Sequence, residues 1–339
     1  MNKFIIVDGS SMLVTSYYGM LPKQILFAKT QEEKEKFYPK IMQHEGHYTN
    51  AMYTMMRTLQ KIQKEQKPTH MLICFDTTRD TFRREMYADY KGNRSETPAP
   101  LKQQFVDMEN MLMEMGYAVE MSDTYEADDL AGSAAALYEK QQPTYIITKD
   151  HDYLQLVSDY TRLWLIQTKQ ETADEIMNRY GSLYGYQKEK MSLPDKAVEV
   201  TPAICHSEYD VWPQQIPDLK GIVGDTSDNI PGIKGVSSAA APLLEEYKTL
   251  EEIYATIDSY ETDKDRKQLS AFWKEELNIK RSPLKAMMEH REEGLLSKKL
   301  ATIRRDVPLT HTFEEMSLTL IDEKKREEQL LKYGFKSLL

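Results

Sequence analysis

Lys3-Phe4-Ile5-Ile6-Val7-Asp8-Gly9 is an aromatic and β-branched run that stops at an acid followed by glycine. A run this short, closed by a turn signal, reads as a buried strand. The pattern recurs along the chain. His70–Phe75 is a second such run and ends at Asp76, Thr144–Thr148 is a third and leads to Asp150, and Arg162–Gln167 is a candidate fourth. Helical patterns lie between them. Residues 49–66 carry Met52, Met55, Met56, Leu59 and Ile62 at helical spacing, and residues 101–115 carry Leu101, Phe105, Met108, Leu112 and Met115. Glu126–Lys140 is a third helix, alanine-rich after an acidic first turn. Strands alternating with helices indicate an α/β fold with a mixed, largely parallel sheet flanked by helices. Ligand sites in such sheets lie beyond the carboxyl ends of the strands. Asp8, Asp76 and Asp150 fall at those ends.

Near residue 206 the chain changes character. Asp210–Pro217 contains two prolines, and residues 224–235 (Gly-Asp-Thr-Ser-Asp-Asn-Ile-Pro-Gly-Ile-Lys-Gly) are rich in turn formers. Helical patterns follow to the end. We expect an α/β domain over 1–205 and a helical domain over 206–339. Residues 23–45, rich in Lys and Glu, and 169–205, polar with tyrosines, read as insertions that form surface helices or loops.

A chain of 339 residues, 40% hydrophobic and 29% charged, is long and apolar enough for two cored domains. No apolar run reaches the ~18 residues of a membrane helix. The first eight residues are charged too soon for a secretory signal. Cys74 and Cys205 are far apart, so a disulfide framework is not expected. These features imply a cytoplasmic protein without a membrane partner. The net charge of −10 does not exclude a nucleic-acid partner, because binding follows where charges sit. Carboxylates gathered around metal ions also count as negative until the ions are added.

The acids that stand out are Asp8, Asp76, Glu126, Asp128, Asp129, Asp150, Asp152, Asp225 and Asp228. Hard divalent cations such as Mg²⁺ take oxygen ligands, often a few carboxylates together with substrate phosphate. Two such ions about 4 Å apart stabilise both the attacking and leaving oxygens of a phosphodiester displacement. Each motif alone has an ordinary structural explanation: Asp-Gly as a turn, Glu126, Asp128 and Asp129 as helix-capping acids, and 224–229 as a loop. Their convergence on the places where this architecture builds sites favours a metal centre.

Taken in order, Phe4–Ser10, Phe75-Asp76, Thr81–Arg83, Tyr90–Arg94, Glu126–Asp129, Thr148–Val157 and Gly224–Gly232 resemble the 5′-nuclease domain of bacterial DNA polymerase I and the phage flap endonucleases. Leu300–Leu309 and Phe335–Leu339 resemble the end of that domain. The resemblance spans nearly the whole chain apart from the two insertions, and implies a stand-alone 5′→3′ exonuclease or flap endonuclease of PIN-like fold. It implies that Asp8, Asp76, Glu126 and Asp128 surround a first metal and that Asp150, Asp152 and Asp225 hold a second, with Asp129 and Asp228 in or near the shared shell. Mg²⁺ is the expected ion at both, with Mn²⁺ able to substitute. It further implies a helical arch near 78–105. There Arg83, Tyr90, Lys91 and Arg94 would meet DNA, with Tyr90 stacking on a base. Lys91 and Arg94 would stabilise charge at the scissile phosphate. Together with Asp150 and Asp225 they form the expected catalytic set.

Residues 218–250 resemble the family's helix-3-turn-helix. Gly232, Lys234 and Gly235 would offer backbone and charge to duplex phosphates there, and K⁺ would bind to carbonyls. Three departures bear on DNA affinity: Thr15 where the family often has arginine, Ser237 and Ala239 for the hairpin's glycine and lysine, and Ala240 for its threonine. The expected protein is a monomer acting on 5′ flaps, nicked duplex and RNA primers annealed to DNA. Two other readings stay open on sequence alone: an RNA-directed nuclease on the same fold, and a non-catalytic binder of branched DNA.

Overall fold

The computed structural model describes residues 3–181 and 192–339; within the polar stretch 169–205, residues 182–191 lie outside the described residues. The opening run forms β1 (Phe4–Asp8), all five residues of which are buried. A two-residue hairpin, β2 (Gln43–His44) and β3 (His47–Tyr48), follows. The main sheet continues with β4 (His70–Asp76), β5 (Ala118–Ser122), β6 (Thr144–Thr148), β7 (Thr161–Ile166) and β8 (Ala197–Val200). Its order is β5-β4-β1-β6-β7-β8. Every neighbouring pair is parallel except β7–β8.

β1 is central and covered on both faces, which is why its sequence is apolar throughout rather than alternating. Successive side chains still point to opposite faces. Phe4 and Ile6 join Leu72, Cys74 and the Ala127–Tyr138 helix in one core. Ile5 and Val7 join Met71, Ile73 and the methionine-rich helices Asn50–Gln66 and Ala99–Met115 in the other. The expected helices thus form close to their expected bounds.

Two strands of the main sheet appear where none was expected. β5 carries Glu120 at its centre and β8 lies inside the polar stretch 169–205. Residues 23–45 fold as short helices Lys23–Phe27 and Gln31–Glu35 with a 3₁₀ turn at Tyr38–Lys40.

Beyond β8 come helices Pro202–Tyr209, Ile216–Val223, Ala240–Tyr247, Leu250–Ser259, Asp263–Glu275, Leu284–Glu289 and Arg291–Ala301. The Ile216–Val223 helix packs on Arg291–Ala301 closely enough that a Cβ on Gly221 would lie 2.9 Å from the Lys298 Cβ. The end of the stretch expected as a helical domain over 206–339 packs on the α/β layer. Ser317 bridges His70 at the β4 end, and Leu330, Tyr333, Phe335 and Leu338 are buried in the core beneath Met52 and Met55. The last residues therefore return to the α/β layer, because their apolar face completes its core. Across the expected arch, 78–105, the helices are Phe82–Met86 and the start of Ala99–Met115, joined by turns and irregular chain.

Candidate active site

Three strands end side by side and bring their acids together. Asp8 closes β1 and caps the helix Gly9–Gly19, its Oδ1 accepting from Ser11 N at 3.0 Å. Only glycine fits after it, since a Cβ on Gly9 would lie 2.9 Å from the Cys74 carbonyl oxygen and equally close to Ile73. Thr148 Oγ1, at the end of β6, donates to Asp8 Oδ2 at 2.6 Å. Burial pushes the Asp8 carboxyl up to about 7; the Thr148 and Ser11 hydrogen bonds oppose this and the charges of Asp76 and Asp150 add to it. Asp76 closes β4, and its Oδ1 accepts from Ala127 N at 2.8 Å. That bond anchors the first turn of the helix carrying Glu126, Asp128 and Asp129.

Asp128 is the least satisfied acid in this group. Its Oδ1 is buried without a hydrogen-bond partner. Burial foremost raises its carboxyl well above the ordinary range, with Arg83 opposing and Asp129 and Glu126 adding. Glu126 is held the other way. Burial would raise it, but Lys91 and Arg83 bring it below its usual value. Lys91 Nζ donates to Glu126 Oε2 at 2.5 Å and Thr81 Oγ1 donates to Oε1 at 3.0 Å.

The remaining acids come from the turn after β6 and from the hairpin of the helical unit. Asp150 Oδ1 accepts from Asp152 N at 2.9 Å, and burial raises the Asp150 carboxyl against the pull of Lys220. Lys220 donates to both Asp152 Oδ1 and Asp225 Oδ2, the latter at 2.6 Å. Asp225 Oδ1 accepts from Ser227 N at 2.8 Å and Ser227 Oγ at 2.6 Å. Against the burial that would raise it, Lys220 and Ser227 hold Asp225 at about 2. Asp228 is paired with Arg94 and accepts from Tyr90 OH at 3.2 Å.

Among the described residues no three acids stand close enough to form a finished coordination shell. Lysine and arginine sit on several of these carboxylates: Lys91 on Glu126, Arg94 on Asp228, and Lys220 on Asp152 and Asp225. The donor set nevertheless fits a hard divalent cation. It consists of carboxylates converging from separate elements, three of them raised by burial, and one buried oxygen without a hydrogen bond.

Residues 3–181 match the 5′-3′ exonuclease N-terminal resolvase-like domain, and residues 211–324 match the 5′-3′ exonuclease C-terminal SAM fold. The chain belongs to the 5′-3′ exonuclease family. As a member it is 31% identical to DNA polymerase I of Bacillus caldotenax over 339 residues, 99% of this chain and 32% of that protein. It is 29% identical to DNA polymerase I of Bacillus subtilis over 309 residues, 91% of this chain and 28% of that protein. The chain thus spans about a third of the length of these curated relatives. Among solved structures, zinc-bound T5 5′-exonuclease shares the fold with a TM-score of 0.57 and 17% identity, covering 97% of this chain and 99% of that one. A bacteriophage T5 flap endonuclease in complex with DNA and metal ions gives 0.56 and 15%, covering 98% and 97%.

Within this exonuclease fold the expected site residues divide. Asp8, Asp76, Glu126, Asp128, Asp150, Asp152, Asp225 and Asp228 surround one region, with Lys91 and Arg94 reaching into it. Four other residues stand elsewhere than expected. Asp129 is fully buried, both its oxygens taken by Arg83 at 2.7 and 2.8 Å, so it is closed to metal. Arg83 is 1% exposed and also donates to the carbonyls of Leu300 and Thr302, so it is a structural clamp and not a DNA contact. Tyr90 is 3% exposed, its hydroxyl turned to Glu126 and Asp228, so its ring is not offered to a base. Gly232 N is spent on Ser297 Oγ, and a Cβ at Gly232 would lie 2.3 Å from Gly224 N; this glycine closes the hairpin and does not meet phosphate.

Lys234 is exposed and Gly235 is open. Ala239 and Ala240 are buried, so these departures serve packing. Thr15 lines a cavity of about 600 Å³ beside Asp8, with Arg57, Lys61 and Lys149 on its walls. Sequence reasoning missed Lys220 and Thr148. The signal for Thr148 was its place beside Asp150 at a strand end. Lys220 gave none, since a lysine on a short amphipathic helix looks solvent-facing.

Proposed function

We propose that this protein is a metal-dependent nuclease that hydrolyses phosphodiester bonds at 5′ flaps, at nicks and in RNA primers annealed to DNA. One observation carries the reading. Acids from three strand ends and from the hairpin of the helical unit come to one region, and one of them, Asp128, has a buried oxygen with no hydrogen-bond partner. An arrangement that costs stability without a cation is understandable if the cation is part of the working site.

Two Mg²⁺ ions, or Mn²⁺ in their place, would supply the charge that stabilises the attacking and leaving oxygens. Asp8, Asp76, Glu126 and Asp128 would hold one, and Asp150, Asp152, Asp225 and Asp228 the other. Thr148 and Ser11 orient the Asp8 carboxylate for that task. Lys91, now on Glu126, and Arg94, now on Asp228, would turn to the scissile phosphate and stabilise its developing charge. Lys234 and the open backbone at Gly235 would grip duplex phosphates without reading bases, with K⁺ at the hairpin carbonyls. The protein would work as a cytoplasmic monomer in primer removal or repair; no described helix is long and apolar enough to cross a membrane.

The test is a panel of 5′-labelled substrates in Mg²⁺ and in EDTA: DNA flap, RNA flap, nicked duplex and single strand. Cleavage of flap and nick in Mg²⁺ alone supports the reading. Binding without cleavage, or cleavage confined to RNA, overturns it.

A further inference from the structure

Lys220 occupies an unusual position for a lysine. It lies on the Ile216–Val223 helix, which belongs to the helical unit, yet its ammonium bridges an acid of each unit. Asp152 comes from the turn after β6, and Asp225 from the hairpin that follows Lys220 itself. The lysine side chain is only 14% exposed. Among the described residues no other cation is paired with either acid. The helix under it is fixed by its contact with Arg291–Ala301, so the bridge is held from behind.

The other half of the site is different. There Lys91 is paired with Glu126 at 2.5 Å, but among the described residues no lysine is paired with Asp8, Asp76 or Asp128, and the cation paired with Asp128 is Arg83 at 3.8 Å, already committed to Asp129. An ammonium and a divalent ion compete for the same carboxylate lone pairs and cannot share them.

We propose that Lys220 is a built-in counter-cation at the second metal position, which a divalent ion must displace to bind. In the metal-free protein the ammonium draws Asp152 and Asp225 together across the two units. When the ion enters, the ammonium leaves, and the affinity of that ion is set by what the lysine gives up. At the first position Lys91 holds Glu126 alone, so the first ion displaces one pair where the second displaces two, and binds more tightly. This inference rests on the two-ion reading above.

The test is a Mn²⁺ titration of the full chain without DNA, read by electron paramagnetic resonance, for the wild type, Lys220→Gln and Lys220→Arg. The wild type should bind one ion tightly and one weakly. Lys220→Gln should tighten the weak site by about ten-fold or more, on the scale of a close charge-pair coupling, and leave the tight site within about two-fold. Lys220→Arg keeps the charge and should keep the site weak. A second measurement needs no variant. Acylation of lysines, read by mass spectrometry, should find Lys220 protected in EDTA and labelled in saturating Mn²⁺. Two bound ions with an unchanged or weaker second constant in Lys220→Gln, or labelling of Lys220 indifferent to Mn²⁺, would overturn this inference alone. Fewer than two ions on the wild type would overturn it together with the two-ion reading.

Discussion

Asp8 and Asp225 carry the same side chain into the same region and are held in opposite ways. Asp8 sits in the sheet layer among other acids, and its carboxyl is pushed up to about 7. Asp225 sits on the hairpin of the SAM-fold unit with Lys220 and Ser227 against it, and is held at about 2. The contrast extends to their neighbours. Asp128 has a buried oxygen with no hydrogen bond and only Arg83 at 3.8 Å, whereas Asp228 is paired directly with Arg94 and Asp152 with Lys220. On the hairpin side lysine and arginine sit directly on the acids, whereas on the sheet side Lys91 and Arg83 hold Glu126 and Asp129 and, among the described residues, Asp8 and Asp76 have no ion-pair partner. On the two-ion reading, one half is poised to take a cation and the other is neutralised until one arrives.

Removing an acid from either half breaks the comparison most severely. Asp150→Asn or Asp225→Asn should reduce flap cleavage to background while flap binding in Ca²⁺ stays within a few-fold, because on the proposed reading these acids hold metal and not DNA. Equal loss of binding and cleavage would count against that division.

Arg83→Met tests the frame beneath the sheet side. It strands Asp129 as a buried charge without its partner, and should destabilise the protein by about 3–5 kcal/mol in chemical denaturation. A loss below about 1 kcal/mol would place Arg83 among ordinary surface pairs.

Lys91→Ala comes next. If Lys91 leaves Glu126 for the scissile phosphate, single-turnover cleavage should fall on the order of 10²-fold with little change in affinity. A near-normal rate would leave Lys91 as a partner of Glu126 and nothing more.

The smallest effect is in pH. Asp8 has a folded value raised above its ordinary 3.8, so the folded state holds the proton more tightly than the unfolded chain does. The metal-free protein should therefore gain stability from Asp8 as pH falls through about 7 towards 3.8. Asp225 has the opposite sign: its stabilisation is full above 3.8 and is lost as pH falls towards about 2. Melting curves in EDTA and in Mg²⁺ should show the metal stabilising most at mildly alkaline pH and least at mildly acid pH. Metal stabilisation that is independent of pH would remove Asp8 from the coordination shell.

How far the sequence could be read follows from the range of the forces involved. β1, β4 and β6 were legible because each is a buried apolar run that ends near an acid, a local signal. β5 was not, because Glu120 interrupts it, and the groups that satisfy that carboxylate, Thr310 and His311, lie 190 and 191 residues away. β8 hid in a polar stretch because it is an antiparallel edge strand whose buried Glu199 bonds Trp164 Nε1 at 2.8 Å. The acids of the site were legible as motifs. The partners that change their roles were not, since Arg83 and Asp129 meet across 46 residues and Lys220 and Asp152 across 68. A cation beside DNA-binding motifs reads as a phosphate contact until the fold shows which carboxylate owns it.

The most direct test of a two-unit metal centre is anomalous diffraction from crystals grown in Mn²⁺. The account expects two peaks about 4 Å apart. One should lie among the carboxylates of Asp8, Asp76 and Asp128, and the other among those of Asp150, Asp152 and Asp225, with Lys220 turned away. No peak on the hairpin side, with the Lys220 bridge intact at saturating Mn²⁺, would contradict it.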